Sequence, residues 1–111
     1  QFQEAFEHLK HRGPDDTEVV HPNGEVTLAF HRLAIMDTSH AGDQPLKDVE
    51  RKVWLICNGE VYNYPQLYEH YKPTYPFTSH SDCEAILPLY RQYGIAETAR
   101  RLDAEYALVI W

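Results

Sequence analysis

The stretch Val53-Trp54-Leu55-Ile56-Cys57-Asn58-Gly59-Glu60-Val61-Tyr62-Asn63 decides how the rest of the chain is read. Its first five residues form an unbroken apolar run of the kind a fully buried strand carries. The run breaks at Asn58-Gly59-Glu60, which places an amide side chain, a bare backbone N–H and a carboxylate at a predicted strand end. Glycine there allows a ligand to approach the backbone closely, because no Cβ stands in the way. Asn58 brings a side-chain N–H and Gly59 a main-chain one, the two ingredients of an oxyanion hole, and Glu60 adds a fixed negative charge. The plain alternative is a strand followed by an ordinary hairpin turn, which Asn-Gly commonly signals.

Toward the N-terminus, Phe2, Ala5, Phe6 and Leu9 repeat at helical spacing and predict an amphipathic helix from Phe2 to Lys10. Gly13 and Pro14 stop it. Val19-Val20 and Val26 to Phe30 read as short strands joined by a hairpin turn at Pro22-Asn23-Gly24. His31 to Asp37 suggests a strand leaving its sheet, and the polar, Gly/Pro-punctuated Ser39 to Pro45 is loop.

Toward the C-terminus, Asn63 is placed to cap a helix running to about Tyr71, with Pro65 in its tolerated first turn. Lys72 to Pro76 is a turn, and Tyr75 to Thr78 reads as a brief edge strand. Ser81-Asp82-Cys83-Glu84 has the form of a capping box. The helix it opens would bury Cys83, Ile86, Leu87 and Tyr90 and close at Gly94; Pro88 inside it has no account in the sequence. Ile95 to Leu102 reads as a further short helix and Tyr106 to Trp111 as a buried strand. Hairpin-type links among the early strands favour an antiparallel sheet with helices on one face, an α+β fold and not a doubly wound parallel one.

Composition narrows the classes of function. The 111 residues amount to at most one domain, and 43% hydrophobic with 24% charged residues describe a globular chain. No apolar run reaches the roughly 18 residues of a membrane span. A net charge of −7 without a basic stripe argues against a nucleic-acid partner. Cys57 and Cys83 lack metal or redox-motif spacing and read as reduced, packed thiols, which favours a reducing compartment. Both ends look interior to an element, so the chain is expected to be a segment of something longer.

Polar features collect where strands end or helices begin: the Arg12-Gly13-Pro14-Asp15 turn, Arg32, Asn58-Gly59-Glu60 and Asp82. A small zwitterion needs a guanidinium for its carboxylate, acids for its ammonium, and donors aimed at any carbonyl under attack. Arg32, the Glu60/Asp82 pair and Asn58/Gly59 would meet those needs in turn. The plain alternatives are a surface ion pair for Arg32 and a dipole-favoured first-turn residue for Asp82. No nucleophile is evident, and His8 with His11 reads as a solvated pair near a helix end rather than a metal site.

The series His11-Arg12-Gly13-Pro14-Asp15, Phe30-His31-Arg32-Leu33-Ala34-Ile35-Met36-Asp37, Gln44-Pro45, Asn58-Gly59-Glu60-Val61-Tyr62-Asn63 and Ser81-Asp82-Cys83-Glu84 resembles the glutaminase domain of glutamine-dependent asparagine synthetases, the eukaryotic branch in particular. The likeness covers essentially the whole chain. It implies a class II amidotransferase domain, part of a four-layer αββα sandwich spanning 1–111 and lacking its first strand and C-terminal part. L-glutamine would be hydrolysed and its ammonia passed to a C-terminal synthetase domain that uses ATP and Mg²⁺; no cofactor is expected in this segment. By motif match, Arg32 would hold the glutamine α-carboxylate, with Leu33 and backbone groups of Ile35 and Met36 lining the same side. Asn58 and Gly59 would form the oxyanion hole, and Glu60 and Asp82 would take the α-ammonium. The resemblance also implies a cytoplasmic location and leaves a homodimer open.

The family's nucleophile is an N-terminal cysteine whose own α-amino group, with a reference pKa of about 7.7–8.0, serves as base. No residue here matches it, and neither Cys57 nor Cys83 has a free α-amine. The segment by itself is therefore expected to bind glutamine without hydrolysing it. Pro88 and Asp103-Ala104-Glu105-Tyr106, where the family usually has Asp-Gly, depart from the pattern. A non-catalytic relative of the same fold, similar to β-lactam synthetase, is the rival reading; an amidotransferase with another acceptor is the third.

Overall fold

The computed structural model describes residues 1–34, 39–50 and 52–111. In chain order the elements are α1 (Phe2–Glu7), β1 (Asp16–Val20), β2 (Leu28–Arg32), β3 (Leu46–Asp48), β4 (Val53–Val61), α2 (Tyr64–Tyr71), α3 (Ile86–Arg101) and β5 (Ala104–Ile110). Turns of 3-10 helix occupy Lys10–Arg12, His40–Gly42 and Asp82–Ala85. The strands form an antiparallel pair β1-β2 and an antiparallel sheet ordered β3-β4-β5. The fold is α+β, as the hairpin-type links require.

β4 runs through Asn58-Gly59-Glu60 without a break, so those residues lie within a strand and neither at its end nor in a hairpin turn. The reason is tertiary. β5 pairs with β4 from Leu55↔Ile110 to Val61↔Ala104, and that ladder overrides the local Asn-Gly signal. Gly59 faces Tyr106 so closely that a Cβ would stand 2.1 Å from the Glu105 carbonyl oxygen. Only glycine permits this approach of the two strands.

Alternation along β4 sorts its side chains to two faces. Leu55, Cys57 and Val61 are 0%, 2% and 3% exposed and pack with Cys83, Ile86, Leu87 and Leu89 beneath α2 and α3. Trp54, Ile56, Asn58 and Glu60 face the other way, opposite Trp111, Val109, Ala107 and Glu105. β5 is therefore half-exposed where burial was expected: only alternate residues reach the helices, and Val109 and Trp111 are 47% and 49% exposed.

Several local expectations give way to packing. Tyr75 to Thr78 forms no strand; its aromatic rings pack instead, Phe77 lying 5.0 Å from Tyr75 and 4.9 Å from Tyr68. The Ser81/Glu84 capping box does not form. The buried Glu84 carboxylate turns back and accepts from the backbone N–H and hydroxyl of both Thr78 and Ser79 at 3.0–3.1 Å. Asn63 precedes α2, but its amide bonds the Arg101 carbonyl at 2.9 Å and the Asp103 N–H at 3.1 Å, tying the end of β4 to the start of β5. Pro88 now has an account. The α-helical part begins only at Ile86, so Pro88 sits in the first turn, where an N–H has no intrahelical acceptor. Tyr90 is half-buried, and Ala85, Pro88 and Leu89 are buried with the predicted Cys83, Ile86 and Leu87. Gly94, at φ 75°, breaks α3 where the first helix was expected to end. α1 stops at Glu7, short of Lys10, and the chain continues as a 3-10 turn.

Candidate functional site

The direction of backbone groups along β4 locates the site. Trp54 exchanges both backbone bonds with Trp111 at 2.8 and 2.9 Å, and the Tyr62 N–H donates to the Asp103 carbonyl at 2.7 Å. Such pairs recur every second residue of an antiparallel ladder. Even-numbered residues of β4 thus spend their backbone groups on β5, and Cys57, Gly59 and Val61 turn theirs to the opposite edge. β3 covers that edge only as far as Leu55, which pairs with Leu46.

Beyond β3 two side chains take over. The Gln44 amide brackets Cys57: its Nε2 donates to the Cys57 carbonyl at 2.9 Å, and its Oε1 accepts from the Cys57 N–H at 2.6 Å. The Val61 N–H donates to Asp82 Oδ2 at 2.7 Å. Gly59 lies between these two capped positions, with its N–H and carbonyl on the same edge.

Arg32, the last residue of β2, approaches from the Gln44 side. It is 8% exposed, and its Nη1 donates to the Ser39 carbonyl at 2.6 Å and to Asp43 Oδ1 at 2.5 Å. The surface ion pair that composition alone would suggest is in fact a buried one. Gly13 sets the approach of the Arg-Gly-Pro-Asp turn to β2, since a Cβ there would meet the His31 carbonyl oxygen at 2.2 Å. The Asp15 N–H donates to the Arg32 carbonyl, and Asp15 Oδ2 accepts from the Ala34 N–H. His31 is structural: its ring stacks on Phe6 at 3.7 Å and bonds the Phe6 carbonyl and Thr17 Oγ1.

The other sequence-derived residues fall as follows. Leu33 is 56% exposed beside Arg32. Ile35 and Met36 lie outside the described residues. The Asn58 side chain is on the open sheet face, where it lines a cavity of about 250 Å³ with Phe30, Ile56, Ala107 and Val109. Glu60 is exposed on that face, directly opposite Glu105. Asp82 is 7% exposed at the strand edge. Glu60 thus stands on the open sheet face and Asp82 at the strand edge, bonded to the Val61 N–H. Burial, then Glu105 and Glu60, raise the nearby Tyr62 phenol.

Three residues that shape the site were given no role in the pocket by the sequence. Asp43 and Gln44 lay in a segment read as loop, Gln44 standing out only through the Gln44-Pro45 pair of the family series, and Glu84, read as a helix cap within that series, instead anchors the 78–79 turn leading to Asp82. His40 Nδ1 lies 2.9 Å from Asp16 Oδ2 and 2.9 Å from Asp43 Oδ2. Asp43 and then Asp16 raise the His40 pKa; the Asp43 carboxyl, the Thr17 N–H and His40 lower that of Asp16. These three groups have metal-ligand spacing. Because Arg32 already neutralises Asp43, they are read as a hydrogen-bonded tether. Cys57 and Cys83 are both buried and free; the contact between them lowers the Cys57 thiol and, with burial, pushes the Cys83 thiol up, and it is their burial at 2% and 3% exposure that withholds both from attack on a ligand. Among the described residues no helix is long and apolar enough to cross a membrane.

The sequence profile described as a glutamine amidotransferase domain matches residues 1–111. The chain is 46% identical over 109 residues to a probable asparagine synthetase (glutamine-hydrolyzing) of Acanthamoeba polyphaga mimivirus, covering 96% of this chain and 19% of that protein. It is 42% identical to the probable asparagine synthetase (glutamine-hydrolyzing) of Schizosaccharomyces pombe, covering 93% of this chain and 18% of that one. It is 32% identical to amidase chry2 of Gibberella zeae, covering 100% of this chain and 16% of the relative. The chain thus spans a fifth or less of the length of these three relatives.

Proposed function

Because the chain belongs to the glutamine amidotransferase domain family, we propose that it forms the glutamine pocket of a longer enzyme that releases ammonia from glutamine and uses it to convert aspartate to asparagine. The observation that carries the reading is the edge of β4, where Gly59 lies between Cys57, capped by Gln44, and Val61, capped by Asp82. Four residues of strand span about 13 Å, room for one free amino acid laid along the edge.

In this reading Arg32 binds the α-carboxylate of glutamine, whose two oxygens match a planar guanidinium. Asp82 at the strand edge and Glu60 from the open sheet face take the α-ammonium. The N–H of Gly59 and the amide of Asn58 receive negative charge as the side-chain carbonyl becomes tetrahedral, an effect each such donor makes worth roughly 10²–10³ in rate. The attacking thiol and its α-amino base belong to an N-terminal cysteine outside residues 1–111, and ATP with Mg²⁺ to a synthetase domain, also outside them. The uncovered apolar face of β4 and β5, with Phe30 of β2 already against it, supports an αββα arrangement in which a second sheet packs on this side.

The test is Arg32→Ala in the full-length protein. Glutamine-dependent product formation is expected to need roughly 10–100-fold more glutamine, the worth of a charged hydrogen-bonded pair, while synthesis from supplied ammonia is retained. Equal loss of both activities would assign Arg32 to the fold alone.

A further inference from the structure

We propose that the dipeptide Asp43-Gln44 is the positioning element of the pocket, Asp43 acting through the Arg32 guanidinium and Gln44 through the edge of β4. The inference rests on the reading of Arg32 and Gly59 given above and adds what holds them in register with each other.

Arginine is a long side chain with several rotatable bonds, and a useful carboxylate receptor only once its planar fork points one way. Here Nη1 makes two bonds at once, to the Ser39 carbonyl at 2.6 Å and to Asp43 Oδ1 at 2.5 Å. The paired side chains are 9% and 11% exposed, so solvent screens the contact little. Two bonds on one nitrogen fix the plane and heading of the whole group. Asp43 is itself held, since its Oδ2 meets the His40 ring, which reaches across to Asp16 on β1.

Gln44 does the matching task one residue later. The β3–β4 register, Leu46↔Leu55 and Asp48↔Val53, would bring residue 44 opposite Cys57 and continue toward Gly59. At that point the Gln44 side chain, and not its main chain, makes both bonds to Cys57. An amide imitates one rung of a ladder but cannot propagate it. The ladder therefore stops one rung short of Gly59. Because the two residues are consecutive, one peptide unit of about 3.8 Å sets the offset between guanidinium and strand edge.

The two halves predict different kinetic signatures in the full-length protein. Asp43→Asn keeps shape but loses the charge that orients Arg32, a ground-state contact, and is expected to raise the KM for glutamine about tenfold with kcat nearly kept. Gln44→Glu replaces the Nε2 donor with an oxygen facing the Cys57 carbonyl. It should shift the strand edge at Gly59 and lower glutamine-dependent kcat about tenfold, with a smaller change in KM. Synthesis from supplied ammonia should be unaffected in both. In an Arg32→Ala background, Asp43→Asn should add little, because the group it acts through is gone.

Additive losses in that double variant, an unchanged KM in Asp43→Asn, or parallel loss of ammonia-dependent synthesis would each overturn the proposal. Should Asp43→Asn fail to fold, Asp43→Glu carries the same test: it keeps the charge, displaces the carboxylate by one methylene, and must still raise KM. If Arg32→Ala itself leaves glutamine use intact, the pocket reading fails. If Arg32→Ala weakens glutamine use and the Asp43 variants do not, only the positioning role fails.

Discussion

The two faces of the β3-β4-β5 sheet are built from one alternating pattern and end in opposite states. On one, Leu55, Cys57 and Val61 lie under α2 and α3 at 3% exposure or less; on the other, Trp54, Ile56 and Val109 remain partly in contact with solvent. Apolar side chains stand on both. What separates the faces is which residues have something to pack against, and the candidate site lies along the edge between them. A covered face gives the edge rigidity. The open face leaves Asn58 and Glu60 accessible.

The largest expected effects test whether that asymmetry belongs to the whole protein. Leu55→Ala empties a fully buried position and should cost about 2–5 kcal/mol in chemical unfolding. Under the proposed second sheet, Val109→Asp should cost roughly as much, because a charge would be buried without a partner. A change within about 0.5 kcal/mol for Val109→Asp would show that this face stays in water and that the layered reading is wrong.

A smaller effect of opposite sign is expected from Glu105→Gln. Glu60 and Glu105 stand directly opposite each other across β4 and β5, and like charges so placed repel. Removing one should raise stability by about 0.2–1 kcal/mol, read from the same unfolding curves. A loss would mean that Glu105 has an attractive partner outweighing Glu60.

The smallest effect is pH dependence at the tether beside Arg32. The His40 pKa is raised above 6.5, so its contribution is complete below that value and fades as pH rises through the folded-state pKa. Asp16 is lowered from 3.8, so its contribution is present above that value and fades as pH falls through the folded-state pKa. Both act together between about pH 4 and 6.5. His40→Gln should flatten the slope of unfolding temperature against pH above 6.5. The exposed imidazole makes this a weak interaction, erased by molar salt. A slope unchanged by the substitution would remove His40 from the tether.

Much of this molecule was legible in order of residues alone. The apolar run from Val53, the helical spacing in α1, the Gly94 break and the hairpin between β1 and β2 all follow from local periodicity and turn chemistry. The reading of Asn58-Gly59-Glu60 as a strand end missed because turn propensity is local and the β5 ladder is not. Ser81 and Glu84 matched a capping box in spacing, yet a buried carboxylate takes the most complete set of donors within reach, and those belonged to Thr78 and Ser79. For the site, Arg32, Gly59 and Asp82 stood out as residue types suited to an amino acid. Their neighbours Asp43 and Gln44 did not, since an acid and an amide in a loop look alike whether or not they touch anything.

The sequence by itself determined the apolar run of β4, the helical spacing of α1, the break at Gly94 and the set of chemical groups available to a ligand, because each depends on residues close along the chain. Only the tertiary structure decided that Gly59 lies within a strand, that Arg32 is bound to Asp43, and that Gln44 ends a ladder with its side chain. Those outcomes depend on which distant segments meet, and the partner of a hydrogen-bonding group is set by the whole packed fold, not by its neighbours in sequence.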